Sequence, residues 1–174
     1  IDLSHAGHKT SLEAIGYSKR PVAVTHANPN AWHATPRNLH HDLLQALAET
    51  GGMVGFSLYP HHLKSGSECS LEEFADMASN MIQTYGSKTF GIGSDLCQGQ
   101  PDSVVNWMRN GHWRKKPEPT VKFPKPPTWF KDNSDFLGLA KGLRRSTISD
   151  ADVDRLVGKN WMSFLEKALV PDER

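Results

Sequence analysis

The side chains best suited to chemistry stand where short apolar runs of the sequence end. His5, His26 and Asp95 each follow such a run. If the runs are parallel strands, their carboxyl ends meet at one sheet edge, which is where ligands bind in such folds. Two neutral imidazoles from successive strand ends can approach one metal ion, and zinc accepts imidazole readily. An ordinary hydrogen-bonded loop position is the alternative for each histidine.

Four apolar runs have the length of strands, and two of them are apolar without interruption, as in strands buried on both faces. They cover residues 1–4, 21–25, 53–58 and 89–93. Helical patterns lie between and after them, over residues 10–18, 38–50, 71–85, 134–144 and 149–169. Thr10 and Ser70 each begin a capping-box pattern. Strands that alternate with helices predict a parallel sheet with crossover helices.

Two α/β architectures fit this order: an open doubly wound sheet and half of a (β/α)8 barrel. No glycine-rich phosphate-binding motif follows any of the four runs, which disfavours the nucleotide-binding version. A complete barrel needs about 250 residues, so four strands in 174 residues would form only its second half. The chain also begins directly at an apolar run without a methionine, and we expect an upstream portion or a second chain.

Composition excludes several classes of protein. The chain has 20 basic and 19 acidic residues, for a net charge of +1, which argues against a strongly basic nucleic-acid-binding protein. No apolar run reaches the roughly 18 residues of a membrane-spanning helix. Cys69 and Cys97 form no Cys-x-x-Cys pair. We therefore expect no nucleic-acid partner and no membrane segment, while the cellular location is not indicated.

The segment 109–131 differs in composition from the rest of what we interpret as a single partial domain. It contains seven Lys or Arg, one acidic residue and five of the 11 prolines. This composition predicts an exposed and poorly folded excursion from the loop after the fourth strand. A loop that docks a partner or gates a substrate is the alternative.

The ordered set of short motifs resembles the membrane (renal) dipeptidases. The motifs are Asp2-Leu3-Ser4-His5, Pro21 to Asn28, Arg37-Asn38, Gly51 to Val54, Gly91 to Asp95 and Val157 to Asn160. The resemblance implies a TIM barrel of amidohydrolase type, of which this chain forms the C-terminal half with four parallel strands. It also implies a zinc-dependent hydrolase with two metal ions that cleaves the peptide bond of dipeptides.

The resemblance implies a role for individual residues as well. His5 and His26 resemble two histidines that bind one zinc ion. Arg37 resembles the arginine that binds the free carboxylate of the dipeptide, for which a planar guanidinium is well matched. Asp95 resembles an aspartate that handles the substrate amine and proton transfer, and Tyr59 lines the pocket or simply packs. We expect the other histidines, at positions 8, 33, 40, 41, 61, 62 and 112, to be surface or loop residues.

The family's remaining ligands have no counterpart here. They are a His-x-Asp pair and a bridging glutamate on early strands, and no such strand precedes His5. We therefore expect at most one zinc ion, held by two imidazoles, and no activity from the isolated chain. The N-terminal half of the barrel or a second subunit would complete the site.

Two further interpretations stay open. The site could hydrolyse related amides such as N-acyl amino acids. Alternatively, the chain could be a non-catalytic half-barrel that binds a partner or self-associates, because unpaired sheet edges favour homo-oligomers. Without the other half of the barrel, Val22, Val24, Val54 and Phe56 would lack packing partners, and we expect the isolated chain to aggregate or dimerise.

Overall fold

The computed structural model describes residues 1–111 and 122–170 and shows an α/β fold built on a parallel sheet. The sheet has the order β1-β2-β3, with Ala23 opposite Met53 and Val54 opposite Phe90. The strands are β1 Ala23–Val24, β2 Met53–Phe56 and β3 Phe90–Ile92. The helices are α1 His8–Tyr17, α2 His41–Glu49, α3 Leu71–Tyr85, α4 Asp102–Asn110, α5 Phe136–Leu143, α6 Asp150–Asp154 and α7 Asn160–Ala168. Short 3-10 turns cover Pro60–His62, Gly66–Glu68 and Asn133–Asp135, and a π turn covers Arg155–Lys159.

The prediction of four strands is wrong for the described residues, since the first run forms an isolated bridge rather than a strand. Asp2 pairs in parallel with Ala23. Directly after β1, the Thr25 N–H donates to side-chain oxygens of Asp2 and Ser4, at 3.1 and 3.0 Å, and not to a backbone carbonyl. Because side-chain oxygens take that donor, the ladder of backbone hydrogen bonds ends after one step.

The predicted helices are present, although their ends differ. Ser70 caps α3 by accepting a hydrogen bond from the Glu73 N–H, as the capping-box pattern predicts. The Thr10 cap is wrong, because α1 begins earlier, after Gly7. The long C-terminal helix is divided at Gly158, whose φ of 166° leaves the helical region. The loop expected after β3 contains α4, which the sequence patterns did not predict.

The core lies between the sheet and the helices that cover it. The Phe56 ring stacks on Phe90 at 4.8 Å and meets Phe74 of α3 edge-on at 6.2 Å. The residues expected to lack partners are all buried: Val22, Val24, Val54 and Phe56. That expectation is wrong because these side chains belong to the chain's own core, under α2 and α3.

The structure describes the two ends of the basic, proline-rich segment, residues 109–111 and 122–131. Its residues 112–121 lie outside the described part of the chain. Its C-terminal end packs on the domain, where Phe130 is buried and the Trp129 indole N–H donates to the Cys69 carbonyl at 2.7 Å. Trp129 also lies 5.3 Å from the Phe74 ring. An exposed, poorly folded loop is therefore wrong for these residues.

Within the described ranges, no helix combines the length and the apolar character needed to cross a membrane.

Two glycines allow the strand that carries His26 to approach its neighbours closely. A Cβ atom at Gly55 or Gly93 would collide with the Thr25 carbonyl oxygen, and that oxygen belongs to the backbone and cannot turn away. Thr25 directly precedes His26. The glycines therefore fix the position of the end of β1 relative to β2 and β3.

Replacing Gly93 with alanine should destabilise the fold, because the new methyl group overlaps the Thr25 carbonyl. Overpacking of this kind costs about 1–3 kcal/mol. The matched control is Gly138→Ala in α5, where a Cβ meets nothing within 4 Å and helix propensity adds up to about 1 kcal/mol of stability. Urea unfolding measures both free energies of unfolding. Equal stability of the two variants would contradict the close approach at Gly93.

Candidate functional site

The imidazoles of His5 and His26 face each other from the ends of two chain segments that pair at the Asp2–Ala23 bridge. Their Nε2 atoms are 3.1 Å apart. Zinc binds imidazole nitrogen at about 2.0–2.1 Å, so two nitrogens on one tetrahedral ion lie about 3.3 Å apart. The donor set and its spacing therefore fit a shared metal ion. Among residues 1–111 and 122–170, no group of three or more His, Cys, Asp or Glu side chains forms a metal site.

A hydrogen-bond chain sets the proton position on His26. The Thr25 hydroxyl donates to Asp2 Oδ2 at 2.7 Å and lies 3.0 Å from His26 Nδ1. Because the single hydroxyl proton goes to the carboxylate, the hydroxyl accepts the proton of His26 Nδ1. The lone pair of His26 is then on Nε2, the atom that faces His5. Such outer hydrogen bonds are typical of metal-binding histidines.

Asp2 remains charged in this chain of hydrogen bonds. Burial alone would raise the pKa of its carboxyl, but hydrogen bonds from Ser4 and Thr25 outweigh burial and lower the pKa to about 2. A carboxylate is a stronger acceptor than a neutral acid. Asp2 thus acts on His26 through Thr25 rather than as a ligand.

Two residues of the candidate site adopt left-handed backbone conformations that are rare for residues with a side chain. His5 has φ 66° and Asp95 has φ 52°. Such conformations cost of order 1–3 kcal/mol each and cluster at functional sites. Here they occur at two of the residues whose side chains face the same cleft.

A cleft of about 530 Å³ lies at the carboxyl edge of the sheet. It is lined by His5, Thr35, Pro36, Arg37, Tyr59, His61, His62, Asp95, Cys97, Met108 and Phe123. His26 adjoins it, with Nε2 3.9 Å from Asp95 Oδ1. The structure therefore brings together all five residues singled out from the sequence: His5, His26, Arg37, Tyr59 and Asp95.

Arg37 is a partly buried cation with an unsatisfied donor. Its Nη2 donates to the His26 carbonyl at 3.0 Å, while its Nε is buried with no partner among the described residues. Burial lowers the pKa of the guanidinium, although the nearby Asp95 and Asp2 oppose this shift. The group stays protonated, as arginine does in proteins. A desolvated cation with a free donor favours an anionic ligand.

His62 is buried rather than exposed, which corrects the expectation from sequence. It is 5 % exposed and contacts the cleft. Burial, followed by the charge of Arg37 and then the neighbouring histidines, lowers the pKa of its imidazole to about 4. The ring is therefore neutral at physiological pH.

Two buried asparagines hold the loops around His62, and the sequence analysis missed them. Asn28 Nδ2 donates to the carbonyls of Ser57 and His62, at 2.9 and 3.0 Å. Asn38 Nδ2 donates to the His62 carbonyl at 3.1 Å, and its Oδ1 accepts from the Asn28 N–H. The available signal in the sequence was the polar amide of Asn28 directly after the apolar Ala27.

Of the remaining histidines in the described part of the chain, only His61 lines the cleft. Those at positions 8, 40, 41 and 61 are exposed, His33 is half-buried, and His112 lies outside the described residues. His40 and Asp42 have His-x-Asp spacing, but neither lines the cleft, and Asp42 pairs with His8 at 3.0 Å. This pair links α1 to α2 and supplies no further ligand to the site.

Paired imidazoles at the carboxyl edge of a parallel α/β sheet are typical of metal-dependent hydrolases. The comparison with protein families narrows this class. Residues 1–109 match the model of the membrane dipeptidases, peptidase family M19. The chain belongs to the membrane dipeptidase family.

Individual relatives agree with this assignment. An uncharacterized dipeptidase of Schizosaccharomyces pombe is 32% identical over 170 residues, which is 96% of this chain and 35% of the relative. Dipeptidase aclJ of Aspergillus oryzae is 33% identical over 98 residues, covering 55% of this chain and 23% of the relative. The chain thus spans about a third or less of the length of these dipeptidases.

Solved structures show the same fold. An amidohydrolase from Pseudomonas aeruginosa superposes with a TM-score of 0.85 at 29% identity, covering 96% of this chain and 51% of the other. A metallopeptidase from Rhodobacter sphaeroides, bound to a phosphinate mimic of the dipeptide L-Ala-D-Ala, has a TM-score of 0.74. It is 23% identical over 96% of this chain and 42% of its own, which shows the fold alone.

Thr25→Val should weaken metal binding, because it removes the hydroxyl that accepts the His26 Nδ1 proton. Loss of an outer hydrogen bond of this kind lowers metal affinity about 10–100-fold. Thr84→Val is the matched control, because the Thr84 hydroxyl bonds only to the Asn80 carbonyl on the exposed side of α3. Competitive zinc titration of the complete protein measures both affinities. An unchanged affinity in Thr25→Val would contradict the proposed orientation of His26.

Proposed function

We propose that this chain forms part of a zinc-dependent dipeptidase that hydrolyses the peptide bond of dipeptides. The observation that carries the proposal is one cleft lined by His5 and by the partly buried guanidinium of Arg37, with His26 adjoining it and its Nε2 3.1 Å from that of His5. Family membership supports the reaction class. We further propose that β1, β2 and β3 belong to a (β/α)8 barrel, which the structural relatives support.

The residues that would hold zinc are His5 and His26. Bound zinc polarises a substrate carbonyl and makes water a better nucleophile at neutral pH. Two imidazoles leave a tetrahedral ion short of protein ligands, since catalytic zinc sites have three. Residues beyond 1–174, or a second subunit, would supply the others and a second metal ion.

Arg37 and Asp95 give the cleft the charges that complement a zwitterionic dipeptide. Arg37 would bind the substrate carboxylate through Nη1, which has no partner among the described residues and is open to solvent, and this restricts substrates to short peptides with a free C-terminus. Asp95 would act as a catalytic residue that holds the substrate ammonium group and transfers a proton at the scissile amide. Tyr59, whose ring packs 5.3 Å from that of His62, would form a wall of the substrate pocket.

Related amides remain a testable alternative substrate class. An N-acyl amino acid has the carboxylate that Arg37 would bind but no ammonium group for Asp95. A dipeptide satisfies both charges of the cleft, which is why we favour it. Comparison of a dipeptide with its N-acetylated form separates the two substrate classes.

The alternative function is a half-barrel that associates with another polypeptide, and exposed apolar side chains support it. The outer face of α7 and the residues after it expose large apolar side chains, with Met162 61% and Leu169 71% exposed. We propose that the N-terminal half of the barrel or a second copy covers this face, and that the complete protein is a homo-oligomer. Gel filtration combined with light scattering tests the oligomer.

Arg37→Lys should raise KM for dipeptides about 10–100-fold, because lysine keeps the charge but not the planar fork. A dipeptide with an amidated C-terminus should show little difference between the variant and the wild type. Arg145→Lys, at an exposed position, is the control. Equal losses on the free and the amidated substrate would show that Arg37 does not contact the carboxylate.

A polypeptide of residues 1–174 supplied with zinc should hydrolyse no dipeptide, and coexpression with the family's N-terminal segment should produce turnover. The reason is the ligand count, because two imidazoles cannot hold zinc in a catalytic geometry. A dipeptide hydrolysis assay with and without the added segment measures this. Full turnover by residues 1–174 as a monomer would overturn the proposed two-part site.

A further inference from the structure

His62 occupies a buried position between the polar network of Asn28 and the open cleft. Its Nδ1 lies 2.7 Å from Ser57 Oγ. Ser57 itself is fully buried, so its hydroxyl has no water to bond. The direction of this one hydrogen bond therefore decides which nitrogen of His62 carries the proton.

The other partner of Ser57 settles the direction. Ser57 Oγ accepts a hydrogen bond from the Tyr59 N–H at 3.2 Å. The hydroxyl proton then needs an acceptor, and His62 Nδ1 is the acceptor within reach among the described residues. A buried hydroxyl left without an acceptor would cost about 1–3 kcal/mol. Ser57 therefore donates to Nδ1, and the proton of the neutral imidazole is on Nε2.

The Nε2–H faces the cleft. Nε2 has no hydrogen-bond partner among the described residues, and it is accessible to solvent. The ring lines the cleft beside Arg37, whose positive charge is the largest influence on the His62 pKa after burial. The ring also lies 6.5 Å from that of His26, nearly parallel to it.

Arg37 and His62 therefore present donors to the same space, one charged and one neutral. Arg37 is anchored to the His26 carbonyl through Nη2 and its Nε is buried, which leaves Nη1 for a ligand. A carboxylate has two oxygens with several lone pairs and accepts from two donors at once. The two donors could therefore bind one carboxylate together.

We propose that His62 is a substrate-binding residue whose Nε2–H donates a hydrogen bond to the C-terminal carboxylate that Arg37 binds. This inference rests on the proposed dipeptidase function. Ser57 is the positioning residue, since its hydroxyl holds the His62 proton on the nitrogen that faces the substrate. The network of Asn28 and Asn38 fixes both residues to the loop that carries Arg37.

The test compares variants of the complete protein in a dipeptide hydrolysis assay. His62→Phe keeps the ring but removes the donor, so KM should rise about tenfold with kcat nearly unchanged, the size expected for a hydrogen bond to a charged group. His62→Gln offers an amide N–H and should restore most of the affinity. His33→Gln, at a histidine outside the cleft, should match the wild type. With an amidated dipeptide, His62→Phe should match the wild type as well.

A measurement on the unaltered protein covers the case in which His62→Phe fails to fold. Nitrogen-15 NMR of labelled histidines distinguishes the two neutral tautomers, and His62 should carry its proton on Nε2. A proton on Nδ1 would overturn the inference.

The outcomes separate the two proposals. Wild-type turnover together with an unchanged KM in His62→Phe overturns the role of His62 alone. Absence of dipeptide turnover by the complete wild-type protein overturns the proposed function and this inference with it.

Discussion

The candidate site depends on the hydrogen-bond chain from Asp2 through Thr25 to His26. The Asp2 carboxylate receives the Thr25 hydroxyl proton, and the hydroxyl then accepts from His26 Nδ1. The same carboxylate also accepts the N–H groups of Ser4 and Thr25, so it joins the segment that carries His5 to the strand that carries His26. One anionic group thus aligns two chain segments and leaves the His26 Nε2 lone pair toward its partner.

The parallel sheet supplies the rest of the arrangement. Its carboxyl edge gathers residues that are far apart in sequence, and close backbone packing at Gly55 and Gly93 fixes the end of β1. The left-handed backbones of His5 and Asp95 turn those side chains toward the cleft, at a local cost that the buried core offsets. Stability and site geometry are therefore coupled, because the same glycines that allow the strands to pack also position the imidazole.

Much of this arrangement could be predicted from the sequence, and the failures have physical causes. Continuous apolar runs and a capping serine indicated a parallel sheet and α3, because burial on two faces and an orphaned helix N–H leave direct traces in residue type. The segment ending at His5 failed as a strand because side-chain oxygens replaced its backbone partners. His62 was misjudged because a pair of histidines with Lys64 close behind looks like solvent-exposed sequence. Its burial depends on Asn28 and Asn38, which act across tertiary contacts that local periodicity does not record.

The central claim is that His5 and His26 bind one metal ion. Crystals of the complete protein grown with zinc, measured on both sides of the zinc absorption edge, test it directly. We expect an anomalous peak within about 2.0–2.1 Å of both Nε2 atoms. A protein with full zinc content whose anomalous peaks all lie away from this imidazole pair would contradict the claim.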